Sequence, residues 1–318
     1  MRFIEESKDP TGVIDDNLFQ QFLNDLPNLI SRNPGAVWLI GNEPDRKVYQ
    51  DDLTPEKYAK RFFEVATIIK NFDPNAKIGF GSVVQPTPIR IRYLERSLDS
   101  LASMAGSMEN ALEMIDIWTI HAFILNENYK PGSWGADVPP GFDCNYDCND
   151  AYIIESYNYS QTYSIEIFKD RIIAFRNWMK TKGEQDKPLW ITEYGSLFPA
   201  WEDAVCYGHQ DDCSDPTYPN EEWPTTDDNI DFMLDTFNFL LYSSDVNIGL
   251  PEDDYKLVQR WFWYSLNYYV RIDSSRPSLG GSLFDPEKDK QITELGKAYK
   301  RYIEFLIFPK TFLPVIFK

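Results

Sequence analysis

Short apolar runs alternate with amphipathic stretches along this chain, and that alternation is the pattern of βα units around a parallel sheet. Five runs read as strands: Ala36 to Gly41, Lys77 to Val83, Asp116 to Phe123, Pro188 to Gly195 and Arg260 to Leu266. Helical segments are expected before the first strand, over Asp15 to Ser31, and between or after the others, over Tyr163 to Lys182, Asp227 to Ser243 and Thr293 to Phe305. The clearest helix start is Thr54-Pro55-Glu56. It places an N-cap, a first-turn proline and an acidic first turn ahead of Tyr58, Phe62, Phe63, Val65, Ile68 and Ile69. With nine Trp, nineteen Tyr and twenty-one Phe, the chain has the aromatic mass to bury a core rather than remain disordered.

The spacing of the strands is uneven. The first three begin at residues 36, 77 and 116, whereas the next begin at 188 and 260, so two units carry insertions. These are the Asn126 to Ser160 and Ala200 to Pro224 regions, each directly after a strand. Loops at strand C-termini are where an α/β barrel builds its active site, so both should wall a cleft. Each insertion contains a cysteine pair, Cys144 with Cys148 and Cys206 with Cys213. Pairing within each loop is the simplest connectivity, and such bridges persist in an oxidising compartment. Zinc is the poorer reading, because neither spacing is Cys-x2-Cys and only His209 stands nearby. An extracellular or cell-surface location follows from the cysteines, yet Met1-Arg2-Phe3-Ile4-Glu5-Glu6 has no apolar signal region.

The charge balance narrows the partners. With 31 Lys and Arg against 50 Asp and Glu the net charge is −19, which repels nucleic acid and anionic membrane surfaces and favours a neutral ligand. No apolar run is long enough to span a bilayer.

The first strand ends in Trp38-Leu39-Ile40-Gly41-Asn42-Glu43-Pro44, where the proline turns the chain out of the strand and leaves an amide and an acid at its rim. The fourth ends in Trp190-Ile191-Thr192-Glu193-Tyr194-Gly195, with a second carboxylate in the equivalent place. Acetal cleavage requires such a pair. One carboxylic acid protonates the leaving oxygen, and a second carboxylate attacks the anomeric carbon or activates a water on it.

Asn-Glu-Pro on one strand and Trp-Ile-Thr-Glu-Tyr-Gly three strands later resemble the retaining glycoside hydrolases of clan A, which carry their acids on the fourth and seventh strands of a (β/α)8 barrel. The resemblance extends over nearly the whole chain. It implies that Glu43 is the general acid/base, that Glu193 is the nucleophile and that Asn42 hydrogen-bonds the sugar 2-hydroxyl. It also implies a substrate-side role for His121 near the nucleophile, and a sugar platform at either Trp261 or Trp263. Tyr194 stands beside the nucleophile, either to hold it or to pack. The reaction so implied acts on a carbohydrate and needs no metal or organic cofactor.

Eight strands are expected of that α/β fold and five are visible, so residues 1–304 read as an incomplete TIM barrel, strands four to eight, lacking about the first three βα units. The expectation is that those units and a signal peptide lie upstream of Met1, and that the chain alone turns over poorly. Residues 305–318 read as an apolar C-terminal tail broken by Pro309 and Pro314. The rival reading is a carbohydrate-binding or cell-surface protein that kept the barrel and lost turnover. Sugar, linkage and oligomeric state are not legible.

Overall fold

The computed structural model describes residues 16–47, 50–127, 135–143, 159–198, 224–268, 280–285 and 291–307. Helix α1 (Asp16–Ser31) leads into β1 (Val37–Leu39), and α2 (Pro55–Phe72) into β2 (Lys77–Val83). Helices α3 (Pro88–Ala105) and α4 (Met108–Glu113) precede β3 (Ile117–His121), and α5 (Ile165–Thr181) precedes β4 (Leu189–Tyr194). After α6 (Thr226–Tyr242) come β5 (Arg260–Trp263), the antiparallel pair β6 (Phe284–Asp285) and β7 (Gln291–Ile292), and α7 (Glu294–Ile307).

Strands β1 to β5 form one sheet in sequence order. The β1–β2, β2–β3 and β3–β4 pairs are parallel. Sequence-ordered parallel strands with helical crossovers are the geometry of a (β/α)8 barrel, here in part. All five expected strands form, mostly one or two residues shorter at each end. Helix α2 starts as its sequence requires, with Thr54 Oγ1 accepting the Lys57 N–H at 3.4 Å and Pro55 in the first turn.

Two differences from the sequence reading stand out. Helix α3 was not anticipated, although Thr87-Pro88 repeats the Thr54-Pro55 start and Gly106 closes it at φ 91°. Helix α7 runs to Ile307, so the first three residues assigned to the tail are helical. The rest of that tail, most of both insertions and all four cysteines, Cys144, Cys148, Cys206 and Cys213, lie outside the described residues. No described helix is long and apolar enough to cross a membrane.

The contacts divide the chain into two units. The first comprises Met1–Tyr157, Glu166–Tyr194 and Tyr242–Phe262, and the second Asn158–Ile165, Gly195–Leu241 and Trp263–Lys318. In the first unit the helix-facing side of the sheet is an aromatic layer. Phe80 of β2 meets Tyr58 and Phe62 of α2 at 5.0 and 4.7 Å and Trp118 of β3 at 5.6 Å. Trp118 in turn packs edge-on against Trp178 of α5 at 5.1 Å, and its indole N–H donates to Glu184 at 3.1 Å, so its polar atom is satisfied inside the core. In the second unit Phe237 of α6 packs against Tyr299 and Tyr302 of α7 at 5.7 and 5.4 Å.

The opposite face of the sheet is made of small or polar residues near its C-terminal end, and two register shifts occur there. Gly81 aligns with Thr119 and Val83 with Ile120, so Ser82 is an extra residue in β2. Ile120 aligns with Ile191 and His121 with Glu193, so Thr192 is an extra residue in β4. A bulge of this kind re-aims the side chain that follows it. Gly81 at φ 117° permits the first, since a Cβ there would collide with the Thr119 carbonyl oxygen.

Candidate active site

Side chains alternate along a strand, so an uninterrupted β4 that turned Ile191 to the helices would also turn Glu193 to them. The extra residue at Thr192 reverses this and sets Glu193 beside His121 of β3. Tyr194 then falls on the helix side, fully buried with its ring 5.2 Å from Phe168 of α5.

Glu43 reaches the same point from β1. Its backbone adopts φ 46°, the left-handed region that non-glycine residues rarely enter. The turn is fixed on both sides. The Glu43 N–H donates to the Ser82 carbonyl oxygen at 2.9 Å, and the Glu43 carbonyl oxygen accepts from the Arg46 N–H at 3.1 Å. Ser82 is the extra residue of β2, itself tied to Thr119 through Oγ at 3.0 Å, so the bulge in β2 supplies the acceptor that holds the Glu43 turn.

The result is a compact trio. His121 Nδ1 lies 3.0 Å from Glu43 Oε1 and 3.7 Å from Glu193 Oε2. One nitrogen or oxygen from each of Glu43, His121 and Glu193 falls within 4.8 Å of the other two. Glu43 and His121 are each 1 % exposed, whereas the Glu193 side chain is 29 % exposed. Glu43 is therefore buried, and Glu193 is partly exposed.

The charges follow from this packing. Burial alone would raise the Glu43 pKa, but the hydrogen bond from His121 and the charge of Arg46, whose Nη1 lies 3.2 Å from Oε2, outweigh it and hold Glu43 below the usual carboxylate range. Burial would likewise depress His121, yet its bond to Glu43 and the charges of Glu193, Glu43 and Asp45 raise it above the ordinary imidazole value. These shifts favour a charged Glu43 and a protonated His121. Among the described residues the trio is also the one group of three spaced closely enough to surround a cation.

The remaining expected residues are placed as follows. Asn42 donates from Nδ2 to Gln50 Oε1 at 2.9 Å and from its backbone N–H to Asp51 at 2.8 Å, which holds it at the rim of β1. Trp261 is half-buried on β5. Trp263 belongs to the second unit, where its indole N–H donates to the Gly281 carbonyl oxygen at 2.8 Å and its ring meets Phe232 and Phe237 at 6.3 and 6.2 Å. The sequence reading missed Arg46 and Asp45, although both follow directly in Asn-Glu-Pro-Asp-Arg, and it missed the two bulges. The glycines of Lys-Ile-Gly-Phe-Gly-Ser-Val were the available signal for the first bulge.

No family model and no curated protein matches the sequence. Solved structures do match. The GH39 enzyme from Xanthomonas axonopodis pv. citri superposes on 91 % of this chain with a TM-score of 0.53 and 12 % sequence identity. A monomeric beta-xylosidase from Caulobacter crescentus CB15 superposes on 90 % with a TM-score of 0.49 and 12 % identity. The chain spans 45 % of the length of each of these two structures. At that identity the likeness is one of fold, and the fold is part of the (β/α)8 barrel found in clan A glycoside hydrolases.

Proposed function

We propose that the chain is a retaining glycoside hydrolase that cleaves O-glycosidic bonds of a poly- or oligosaccharide by double displacement. The observation that carries the reading is the approach of Glu43 and Glu193, three strands apart, to within 4.8 Å at their nearest ligand atoms. Carboxyl groups about 5 to 5.5 Å apart suit direct attack by one of them, whereas about 6.5 to 9.5 Å is needed to seat a water for inversion.

Glu193, partly exposed and ionised, attacks the anomeric carbon and forms the glycosyl-enzyme. Glu43 protonates the departing oxygen and later takes a proton from water. Its depressed pKa makes it a poor acid by itself, and His121 answers that difficulty. The imidazolium holds a proton 3.0 Å from Glu43 Oε1, so the proton passes to Glu43 as the negative charge of Glu193 is consumed by bond formation. In the second half-reaction Glu193 regains its charge, and the proton taken from water by Glu43 returns to His121. Asn42 at the rim of β1 would meet the sugar 2-hydroxyl. The cysteine-bearing loops accord with a protein that works outside the cell.

A 2-deoxy-2-fluoroglycoside with an activated leaving group tests this. Expected is a covalent adduct of one glycosyl unit on the peptide containing Glu193, lost in Glu193→Gln. A panel of gluco, xylo, manno and galacto probes that leaves the folded protein unlabelled would overturn the reading and favour a carbohydrate-binding protein without turnover.

A further inference from the structure

Behind the trio lies a second buried ionic cluster that the reaction does not use. Arg90 is the third residue of α3, a position where the helix dipole disfavours a cation. It is nonetheless fully buried, and each nitrogen of its guanidinium is bonded. Nη1 donates to Asp45, to its backbone carbonyl oxygen and, at 2.9 Å, to Oδ2. Nε and Nη2 grip the Glu127 carboxylate at 3.1 and 2.6 Å, and Nη2 also donates to the carbonyl oxygens of Ala136 and Asp137.

These acceptors belong to two different loops. Asp45 is two residues beyond Glu43, in the turn after β1. Glu127, Ala136 and Asp137 belong to the segment after β3, the strand that ends in His121. The loop after β2 braces both. Val84 N–H donates to Asp45 Oδ1 at 3.2 Å, and Gln85 Nε2 and Thr87 Oγ1 donate to Glu127 Oε1 at 2.6 and 2.5 Å. Gln85 also accepts the Leu125 N–H at 2.8 Å and donates to the Leu125 carbonyl oxygen at 3.0 Å.

We propose that Arg90 is a positioning residue that sets the Glu43–His121 pair, by locking the turn after β1 to the segment after β3 through Asp45 and Glu127. The left-handed conformation of Glu43 needs such an outside constraint to persist. The planar fork is what the task requires, because a lysine ammonium cannot engage a carboxylate and two carbonyls on one side and a second carboxylate on the other. The charge of Arg90 also keeps Asp45, which burial pushes up to about 6, from rising further.

The proposal rests on the glycosidase reading for its rate measurement alone, and its primary readout does not need turnover. The sequence contains two histidines, so the hydrogen-bonded Nδ1 proton of His121 can be assigned in a ¹⁵N-edited imidazole spectrum by its loss in His121→Asn. The full chain would carry Arg90→Lys, Asp45→Asn or Arg176→Met. Arg176 is the control, an equally buried arginine of the same unit that donates to the carbonyl oxygens of Ile248, Lys187 and Gln185. Expected are a shifted or exchange-broadened His121 signal in Arg90→Lys and in Asp45→Asn, and an unchanged one in Arg176→Met. In parallel kcat should fall about 100-fold, the cost of an ångström-scale misplacement, with KM nearly constant. If Arg90→Lys does not fold, Asp45→Asn, which leaves Arg90 held by Glu127, decides. An unchanged His121 signal in a folded Arg90→Lys or Asp45→Asn protein overturns the proposal. So does a shift of equal size in Arg176→Met. A chain that hydrolyses nothing but shows the expected spectra refutes the glycosidase reading and leaves this one standing.

Discussion

Replacing His121 by phenylalanine keeps a buried ring and removes the one positive charge between two carboxylates. The nearest ligand atoms of Glu43 and Glu193 are within 4.8 Å. Two unit charges at that separation repel by about 3.5 kcal/mol at an effective dielectric constant of about 20. Because the Glu193 side chain is 29 % exposed, solvent screens it and about 2 kcal/mol remains. The sign then follows from linkage. In the native protein Glu43 has a lowered pKa, so its contribution is present above its unfolded value of 4.5 and is lost as pH falls through the folded one. His121 has a raised pKa, so its contribution is complete below 6.5 and is lost as pH rises through the folded value. The pair therefore stabilises fully between pH 4.5 and 6.5. In His121→Phe the second carboxylate to ionise meets repulsion, and the folded state retains a proton that the unfolded chain releases. Stability should fall across that same window by about 2 kcal/mol relative to the native protein, or on the order of 4 °C in melting temperature. Asp45, raised to about 6, titrates in the same window and is coupled to both His121 and Glu43, so its titration is followed alongside in the variant. Thermal melts followed by near-ultraviolet circular dichroism at half-unit pH steps would show the divergence, diminished in high salt. Parallel profiles for the two proteins from pH 4.5 to 6.5 would refute the pairing of a charged Glu43 with a protonated His121.

Further outcomes follow from the same geometry. Glu43→Gln should cost about 10²- to 10⁴-fold in kcat/KM on glycosides whose leaving group needs a proton, and far less on activated aryl glycosides, as a leaving-group series would show. Gly81→Ala should destabilise by at least roughly 1–3 kcal/mol, measured by urea unfolding, because the new Cβ meets the Thr119 carbonyl oxygen at a backbone angle that L-residues avoid. Trp118→Ala should cost about 3–5 kcal/mol in the same assay, since it empties the place shared by Phe80, Phe175 and Trp178.

The strands were legible because short apolar runs bounded by proline, glycine and acids suit a buried strand and little else, and Glu43 and Glu193 stood out as acids at the ends of two of them. What could not be read was which way they face. Periodicity assigns Glu193 and Tyr194 to opposite faces but cannot say which is which once a residue is inserted, and nothing in Trp-Ile-Thr-Glu-Tyr-Gly marks Thr192 as the insertion. Helix α3 escaped for a related reason. Its sequence carries Arg90, Arg92 and Arg96 among its apolar positions, and a buried arginine reads as a solvated one until its partners are known. Those partners, Asp45 and Glu127, lie far away in sequence, so the cluster is a property of the fold that no local pattern announces.

The bulges in β2 and β4 have a further consequence, which concerns arithmetic rather than chemistry. Thr192 contributes a hydroxyl bond to the Ile120 carbonyl oxygen at 3.2 Å, yet its larger contribution is to occupy one place in the count. Many side chains at that place would keep Glu193 aimed at His121, whereas loss of the place itself would turn the carboxylate into the aromatic layer. The site is thus tolerant of spelling and intolerant of length. Deletion scanning, rather than substitution scanning, is the kind of mutagenesis that would find it.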